Sequence, residues 1–263
     1  MKKEIEITGK KIVYQLYGEG APVMLVHGFG ETGAVWKNQV AFLKDYFLLV
    51  VPDLPGSGQS DMTDDMSMDG MADVLKMILD KESISQVKMI GHSMGGYITL
   101  SFVKKYSNYL TGFGLFHSSA YADSEEKKAT RKKGIEFIRH HGAFEFLKTS
   151  SPNLFSPITK EQNPSLVDEF VGSLNNFSAP ALVSYYEAMM QRPDTTQLLT
   201  TTSLPVLFVL GEYDNAVPVQ DGLKQSHLPE KSYIHILHQS GHMGMLEETG
   251  KSNEILQKYL HQS

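Results

Sequence analysis

The sequence predicts an α/β fold with a mostly parallel, doubly wound sheet. Four short runs are continuously apolar and bulky, namely PVMLVH (22–27), FLLVVPD (47–53), VKMIG (87–91) and PVLFVLG (205–211). Such runs are typical of strands that are buried on both faces of a parallel sheet. Segments with helical periodicity lie between them, and this alternation with short connections indicates βαβ units.

The remaining elements complete this pattern. Apolar alternation that breaks at Gly9-Lys10 predicts a first hairpin over 5–7 and 11–17. TGFGLFH (111–117) and SYIHIL (232–237) predict two further strands. Apolar residues recur at helical spacing over 66–82 and 94–106, so we predict a helix in each of these segments.

The segment 118–202 interrupts the alternation of strands and helices. Its pattern is helical, most clearly over 125–148 and 165–191, and it contains no run typical of a buried strand. Turns are expected near its prolines, which are Pro152, Pro157, Pro164 and Pro180. We therefore predict a core formed by 1–117 and 203–263, with 118–202 inserted as a helical cap, or lid, over the sheet.

Composition favours a soluble globular protein and argues against one class of partner. The 263 residues are 41% hydrophobic and 21% charged, which is typical of a soluble globular protein with a sizeable core. The net charge of −6 argues against a nucleic-acid partner, because phosphate binding requires a basic patch. The basic cluster KKATRKK (127–133) follows Asp123, Glu125 and Glu126, and we interpret it as a solvated helix face.

The cellular location is predicted from what the chain lacks. It has no cysteine, so disulfides, a cysteine nucleophile and thiolate metal sites are excluded, and this composition fits a reducing compartment. The first residues, MKKEIEITGKKIVYQLYG, contain no uninterrupted apolar stretch of the kind found in signal peptides. The run YFLLVV (46–51) is too short to span a bilayer. We expect a cytoplasmic protein without a membrane partner.

A serine motif marks the clearest candidate for catalysis. Gly91-His92-Ser93-Met94-Gly95 matches G-x-S-x-G and lies between a predicted strand and a predicted helix. A serine at such a tight turn needs an uncommon backbone conformation, and the flanking glycines let neighbouring chains approach. Free backbone N–H groups at the helix N-terminus, that of Met94 among them, can stabilise an oxyanion. The motif predicts Ser93 as a nucleophile.

A serine hydroxyl needs a base that accepts its proton, and His242 is the preferred candidate. It lies in HQSGHMGMLEE (238–248), a loop with glycines that follows the last predicted strand. His238 is the alternative, but its position nearer the strand end favours a structural role. His92 is too close to Ser93 along the chain, and we expect it to pack beside the turn.

The base needs a carboxylate that fixes its tautomer and stabilises its charged form. Asp214 lies in LGEYDNAVP (210–218), directly after a predicted buried strand, so it should lie at the carboxyl edge of the sheet near Ser93. A turn aspartate without a catalytic role is the alternative interpretation. Glu212 and Asp123 are weaker candidates for the same position.

Four motifs in a fixed order support a family resemblance. They are HGFGETGAVW (27–36), PDLPGSGQS (52–60), GHSMGG (91–96) and GEYD with its later GH. In these motifs the sequence resembles the α/β-hydrolase-fold serine hydrolases, whose catalytic residues follow the chain order Ser93, Asp214, His242. Dehalogenases and epoxide hydrolases of this fold carry aspartate at the nucleophile position, so Ser93 argues against both. The segment 118–202 corresponds to the variable cap of this family.

The resemblance also implies roles for backbone groups and turn residues. The backbone N–H of Phe29 would join that of Met94 in an oxyanion hole, where the residue type matters little. His27 and Gly28 would shape the turn, and Asp53 and Gly56 would be structural. The alternative is that 27–36 is a glycine-rich connection without a catalytic part.

The function implied is hydrolysis of small to medium acyl esters through an acyl-enzyme, as in carboxylesterases. The expected partner is a small ester-like molecule, and no metal or organic cofactor is implied. The same residues would also serve a carbon–carbon bond hydrolase, a perhydrolase or a lyase, because fold does not decide among these. A ligand receptor on a hydrolase scaffold is the alternative outside enzymology. The sequence leaves the oligomeric state open.

Overall fold

The structure, a computed structural model, describes residues 1–262 and contains one eight-stranded sheet. Its strands are β1 (Lys2–Ile7), β2 (Lys10–Tyr17), β3 (Ala21–Val26), β4 (Phe47–Pro52), β5 (Val87–His92), β6 (Leu110–Phe116), β7 (Val206–Gly211) and β8 (Ser232–Leu237). Their order is β1-β2-β4-β3-β5-β6-β7-β8. β2 is antiparallel to β1 and β4, and all other neighbours are parallel. The predicted mostly parallel sheet is confirmed.

Helices connect the strands and cover the sheet. They are α1 (Lys37–Leu43), α2 (Met68–Lys81), α3 (Met94–Tyr106), α4 (Glu125–His141), α5 (Ala143–Ser150), α6 (Pro157–Gln162), α7 (Pro164–Gly172), α8 (Ala179–Gln191), α9 (Thr196–Thr201), α10 (Val219–Ser226), α11 (Gly244–Glu247) and α12 (Thr249–Leu260). Short 3-10 segments occur at Gly33–Trp36, Ser107–Tyr109 and Ser151–Leu154.

Two apolar cores flank the sheet, which explains the continuous apolar runs of the central strands. Leu75 of α2 and Ile98 of α3 belong to one core, whereas Leu43 of α1 and Leu256 of α12 belong to the other. β5 and β7 are buried at every residue. A strand that contacts apolar side chains on both faces loses the alternation seen in half-exposed strands.

The strand register aligns the carboxyl ends of the parallel strands. His92 at the end of β5 pairs with Phe116 at the end of β6. Phe116 pairs with Val209 of β7, and Gly211 at the end of β7 pairs with Leu237 at the end of β8. The loops that follow these strands therefore emerge at one edge of the sheet, where ligands bind in open α/β folds.

The segment between β6 and β7 carries α4 to α9, and no strand occurs in 118–202, all of which the structure describes. The helical pattern over 125–148 is two helices, because Gly142 between α4 and α5 has φ 89°. The pattern over 165–191 is also two helices, because α7 ends at Gly172 and α8 begins only at Ala179. Pro180 in the first turn of α8 is compatible with a helix start but not with a continuous helix.

The basic cluster 127–133 differs in part from its interpretation as a solvated face. Lys132 and Lys133 are exposed on α4. Arg131 instead turns inward, with its Nε 2.6 Å from Oδ2 of the buried Asp123. A third charged group, Arg192, lies 2.9 Å from the other oxygen of Asp123. The two arginines offset the cost of burying this carboxylate, so Arg131 is part of a buried ion network.

Candidate active site

Ser93 occupies the turn between β5 and α3 in a conformation that is rare for a non-glycine residue. Its φ and ψ are 51° and −118°. Its N–H donates to the Phe116 carbonyl at 3.0 Å. Its own carbonyl accepts from Gly96 N–H at 2.9 Å and from the Ser118 hydroxyl at 2.8 Å. These bonds hold a strained residue whose side chain is partly exposed, as a nucleophile on such a turn requires.

The glycines around Ser93 are required by close backbone approaches. A Cβ on Gly95 would lie 2.5 Å from the Val26 carbonyl oxygen of β3. A Cβ on Gly91 would collide with the Gly95 carbonyl, and one on Gly96 would collide with the Ser118 hydroxyl. The turn can therefore sit against β3 and β6 only because these positions lack side chains.

Asp214 and His242 form a buried hydrogen-bonded pair at the same edge of the sheet. His242 Nδ1 lies 2.8 Å from Asp214 Oδ2. The second oxygen, Oδ1, accepts from the backbone N–H groups of Ala216 and Val217, both at 2.8 Å. The carboxylate is thus fixed by its own loop and oriented toward the histidine. Because Nδ1 of His242 faces Asp214, Nε2 is the ring nitrogen that remains to accept a proton.

His117 also contacts Asp214, and sequence reasoning missed it. Its Nδ1 lies 3.1 Å from Oδ2, the oxygen that His242 uses. Burial alone would raise the pKa of the Asp214 carboxyl, but the imidazoles of His242 and His117 hold that pKa well below its usual range. The signal was position, since His117 directly follows β6 as Ser93 directly follows β5.

The spacing of these three side chains also meets the geometric requirement for a metal site. One nitrogen of each histidine and one Asp214 oxygen lie within 4.8 Å of one another. Hydrogen bonding accounts for this spacing, because each Nδ1 lies at donor distance from Oδ2. A metal ion would have to displace both Nδ1 protons, so the donor set fits a carboxylate with two imidazole donors better.

Within residues 1–262, no hydrogen bond joins the side chains of Ser93 and His242, and the residue before Ser93 connects the two loops. The ring of His92, the residue before Ser93, lies 5.0 Å from the His242 ring. His92 Nε2 donates to the His242 carbonyl at 2.9 Å, which ties the two loops together. Catalytic hydrogen bonds are often long before substrate binds, so this geometry is compatible with proton transfer.

A buried ion pair packs against the turn that carries Ser93, and it was not predicted from the sequence. His92 Nδ1 lies 3.0 Å from Glu31 Oε2, which also accepts from Gly28 N–H at 2.7 Å. Burial opposes the charged form of His92, but the Glu31 carboxylate raises the pKa of this imidazole above its ordinary value. Glu31 thereby joins the loop after β3 to the serine turn. As predicted, His92 packs beside that turn.

Two backbone N–H groups near Ser93 are unused within residues 1–262, those of Phe29 and Met94. The loop of Phe29 lies against Ser93, because a Cβ on Gly28 would be 3.1 Å from Ser93 Cβ. His27 Nε2 accepts from Leu54 N–H at 2.9 Å, which connects this loop to the one after β4. Free donors beside a partly exposed serine are what an oxyanion hole needs.

The residues after β4 have contacts of the kind expected from structural roles. Asp53 Oδ1 accepts from Gly33 N–H at 3.0 Å, and its Oδ2 accepts from Gln59 N–H at 3.3 Å. Gly56 has φ 84°, a conformation that side chains disfavour.

The alternative residues lie in other surroundings. His238 is exposed and pairs with Glu212 at 2.6 Å. Asp123 is occupied by Arg131 and Arg192. None of these three candidates is hydrogen-bonded to His242 in the described chain, whereas Asp214 is.

Helices of the segment 118–202 contact the loops around Ser93. The ring of Phe29 stacks on Tyr186 of α8, and its centroid lies 6.3 Å from the Phe146 ring of α5. The hydroxyl of Tyr185 donates to the Pro55 carbonyl at 2.5 Å. His242 N–H donates to the Leu154 carbonyl at 2.6 Å. The segment therefore touches the loop after β3, which carries Phe29, and the loop after β8, which carries His242.

A cavity of about 420 Å³ lies beside this arrangement, between the loop after β3 and the region of α7. Its lining combines polar and aromatic groups, among them Thr32, Gln59, Phe170 and Phe177. Ser93 and His242 do not line it, so we do not assign it as the substrate pocket.

Comparison with known proteins identifies the fold family. The profile of the alpha/beta hydrolase fold matches residues 21–115. The structure of a thermophilic esterase from Thermogutta terrifontis superposes with a TM-score of 0.92 at 27% identity, covering 99% of this chain and 98% of that one. The chain has the α/β-hydrolase fold. Its eight strands, serine turn and connecting helices agree with this fold.

Two curated relatives with hydrolase names match this chain at low identity. The 3-oxoadipate enol-lactonase 1 of Acinetobacter baylyi is 24% identical over 96% of this chain and 94% of its own length. A pimeloyl-acyl-carrier-protein methyl ester esterase of Vibrio cholerae is 25% identical over 90% of this chain and 93% of its own. These similarities indicate that the chain is a hydrolase. No helix in residues 1–262 is long and apolar enough to cross a membrane.

Proposed function

We propose that this α/β hydrolase cleaves small to medium acyl esters, with Ser93 as nucleophile, His242 as general base and Asp214 as the orienting carboxylate. The observation that carries the proposal is the 2.8 Å contact between Asp214 and His242 beside a serine with φ 51°. A strained serine, a base and a fixed carboxylate at one sheet edge are the parts of acyl transfer by a serine nucleophile.

The reaction proceeds in two halves. Ser93 Oγ attacks the ester carbonyl carbon while His242 Nε2 takes the hydroxyl proton, and the N–H groups of Phe29 and Met94 bind the oxyanion. Collapse breaks the C–O bond to the alcohol, which leaves with the proton from His242. Water then gives a proton to His242 and attacks the acyl carbon, and collapse releases the acid and restores Ser93. This scheme uses no metal or organic cofactor.

We propose that 118–202 is a cap that covers the acyl group. Support comes from its contacts with Phe29 and with the backbone of His242. Its helices present aromatic rings near the oxyanion loop, including Phe146, Tyr185 and Tyr186. Such a surface favours an uncharged acyl chain of limited length, because aromatic side chains offer apolar area in fixed positions.

The test is labelling with a fluorophosphonate, followed by a hydrolysis screen over esters, thioesters, amides and vinylogous diketones. Wild type should bind one label, Ser93→Ala none, and Ser107→Ala, which changes an exposed serine, one. Esters should give the highest kcat/KM with many turnovers. Single turnover would support a receptor, and preferred cleavage of the diketones would support a carbon–carbon bond hydrolase. Either outcome would overturn the ester proposal.

A further inference from the structure

His117 is a fully buried histidine for which the proposed reaction has no direct use. Its Nδ1 lies 3.1 Å from Asp214 Oδ2, while its Nε2 has no hydrogen-bond partner in residues 1–262. A buried polar atom without a partner is costly, so a purely apolar residue would suit the packing better. The one polar contact of this ring is therefore the feature that needs an explanation.

The two loops next to the His117 ring leave space for it by having glycine at the positions of closest approach. A Cβ on Gly211, at the end of β7 and just before Asp214, would lie 2.8 Å from His117 Cε1. A Cβ on Gly244, just after His242, would collide with His117 Nε2. The loops that carry Asp214 and His242 thus each have a glycine where the imidazole of His117 lies.

The backbone of His117 is also held in an uncommon state. Its φ is 49°, and its N–H donates to the Val209 carbonyl of β7 at 2.8 Å. Left-handed backbone is unfavourable for most side chains and is best tolerated by glycine and asparagine. The position therefore holds a histidine in a conformation that points its ring at Asp214.

His117 is a neutral hydrogen-bond donor at neutral pH. Burial lowers the pKa of His117 to about 4, although Asp214 acts in the opposite direction. The titratable groups that face the ring are Asp214, His242 with its ring 5.8 Å away, and His92 with its ring 6.0 Å away. At neutral pH the ring donates its Nδ1 proton and leaves the negative charge on Asp214.

We propose that His117 is a positioning residue that fixes Oδ2 of Asp214 at the point where His242 Nδ1 must meet it. The inference rests on the proposed function of Asp214 and His242. The two N–H groups from the Asp214 loop anchor Oδ1, and His117, which follows the neighbouring strand β6, anchors Oδ2. With both oxygens anchored, the carboxylate cannot rotate away when His242 gains and loses its proton.

Loss of the His117 donor has two measurable consequences. Rotation of Asp214 misaligns His242, so kcat should fall about tenfold while KM changes little, because small misplacements slow the chemical step. The remaining Asp214 charge also acts more strongly on His242 and favours its charged form. The acidic limb of the kcat/KM profile should therefore move to higher pH.

The experiment compares His117→Asn with His117→Gly in the full chain. Both residues tolerate positive φ, but only the asparagine side chain places an N–H near the original Nδ1. Ester hydrolysis is measured from pH 5 to 9 and expressed per fluorophosphonate-titrated site. The His117→Asn variant should keep kcat within about threefold of wild type. The His117→Gly variant should show the tenfold loss of kcat and the shift of the acidic limb of its kcat/KM profile to higher pH. His117→Leu, which fills the space without a donor, should behave like glycine and replaces it if glycine unfolds.

The outcomes separate this inference from the proposed function. Equal activity of wild type, His117→Asn and the donor-less variants would overturn the role of His117 while Ser93→Ala remained inactive. Equal losses in asparagine and glycine variants would also overturn it, because the donor would then be irrelevant. Full activity of Ser93→Ala or Asp214→Asn would instead overturn the proposed function itself.

Discussion

The ring of Phe29 is stacked on the ring of Tyr186, with centroids 4.3 Å apart and planes 7° from parallel. Phe29 belongs to the loop that we propose as an oxyanion donor, whereas Tyr186 belongs to α8. The Arg131 guanidinium also lies 5.3 Å from the Tyr186 ring, and it pairs with Asp123. One aromatic pair therefore connects the segment 118–202 to the proposed acyl site.

The first prediction concerns acyl chain length. Each methylene buried beneath the cap should add about 0.8 kcal/mol, or about fourfold in kcat/KM, until the space is full. For p-nitrophenyl esters we expect kcat/KM to rise from acetate to about butyrate or hexanoate and then to fall. Continued improvement with long chains, or a preference for charged acyl groups, would contradict the proposed apolar cap surface.

Tyr186→Ala extends this test to the contact itself. Removing the ring opens space beside Phe29, so the best substrate should shift to a longer acyl chain, and kcat/KM for acetate should fall. Phe144→Ala is the matched control, because this aromatic residue of α5 is 37% exposed. An identical chain-length profile for the two variants would show that Tyr186 does not shape the acyl site.

The second prediction concerns the nucleophile and the base. Ser93→Ala should leave the fold intact and lower kcat by about five to six orders of magnitude, and His242→Ala should cost nearly as much. The double variant should lose little more, because the residues act as one unit. Steady-state kinetics with a p-nitrophenyl ester measure all three. A tenth of wild-type activity in Ser93→Ala would exclude this serine as the nucleophile.

Much of the sheet followed from sequence because its strands are buried on both faces. SYIHIL is β8 with the predicted bounds, and the other strands differ by a residue or two, apart from β1, which begins three residues earlier than predicted. Exposed β1 has charged residues at alternate positions, Lys2, Glu4 and Glu6, which weaken its apolar signal. The helix break at Gly142 was missed because helical periodicity continues across a short interruption, whereas a turn was expected near Pro180, where α8 begins.

The candidate site was predictable where a motif surrounds a residue and not where contacts come from distant strands. Asp214 and His242 follow β7 and β8 in glycine-containing loops, and the structure brings them together. His117 and Glu31 act through partners 97 and 61 residues away along the chain. The sequence places His117 at the end of a predicted strand, but it does not show which residues contact His117 or Glu31, and only the folded structure shows these contacts.

The third prediction concerns the carboxylate. Asp214→Asn keeps the shape of the side chain but favours the wrong tautomer of His242, so kcat should fall by about 10⁴. Glu212→Gln is the control, because Glu212 is exposed and pairs with His238 at 2.6 Å. Steady-state measurement of kcat for both variants shows which carboxylate orients His242. A larger loss in Glu212→Gln would transfer the orienting role to that residue.

The fourth prediction concerns stability at the buried ion network. Burial acts to raise the pKa of Asp123, but Arg131 and Arg192 lower it overall. Because the folded pKa is below the unfolded one, the stabilisation is present above about pH 4 and disappears as pH falls through the folded value. Asp123→Asn should cost about 3 kcal/mol at pH 7, since two arginines lose their charged partner.

Urea unfolding of Asp123→Asn at several pH values measures this cost. Asp168→Asn, at an exposed position of α7, should stay within about 0.5 kcal/mol of wild type. Ester hydrolysis by folded Asp123→Asn should change far less than that of Asp214→Asn. A loss of stability that is independent of pH would mean that the charge of Asp123 is not its source.

The last prediction concerns acid stability and His117. The pKa of His117 is lowered from 6.5 to about 4 in the folded protein, so the unfolded chain binds the proton more readily. Its contribution to folding is complete above about pH 6.5 and is lost as pH falls toward 4, a change on the order of 3 kcal/mol. His92, whose pKa is raised, acts in the opposite direction. Because His92 is present in wild type and in the His117 variants alike, it does not account for a difference between their pH curves.

His117→Asn removes this titration while it keeps an N–H donor and a residue that tolerates positive φ. Its free energy of unfolding should therefore fall less than that of wild type between pH 6.5 and 4.5, as measured by urea titration at each pH. His140→Asn changes an exposed histidine of α4 and should follow the wild-type curve. If His117→Asn also follows that curve, His117 is not the neutral buried donor described above, because a group that takes up no proton on unfolding leaves the pH dependence unchanged.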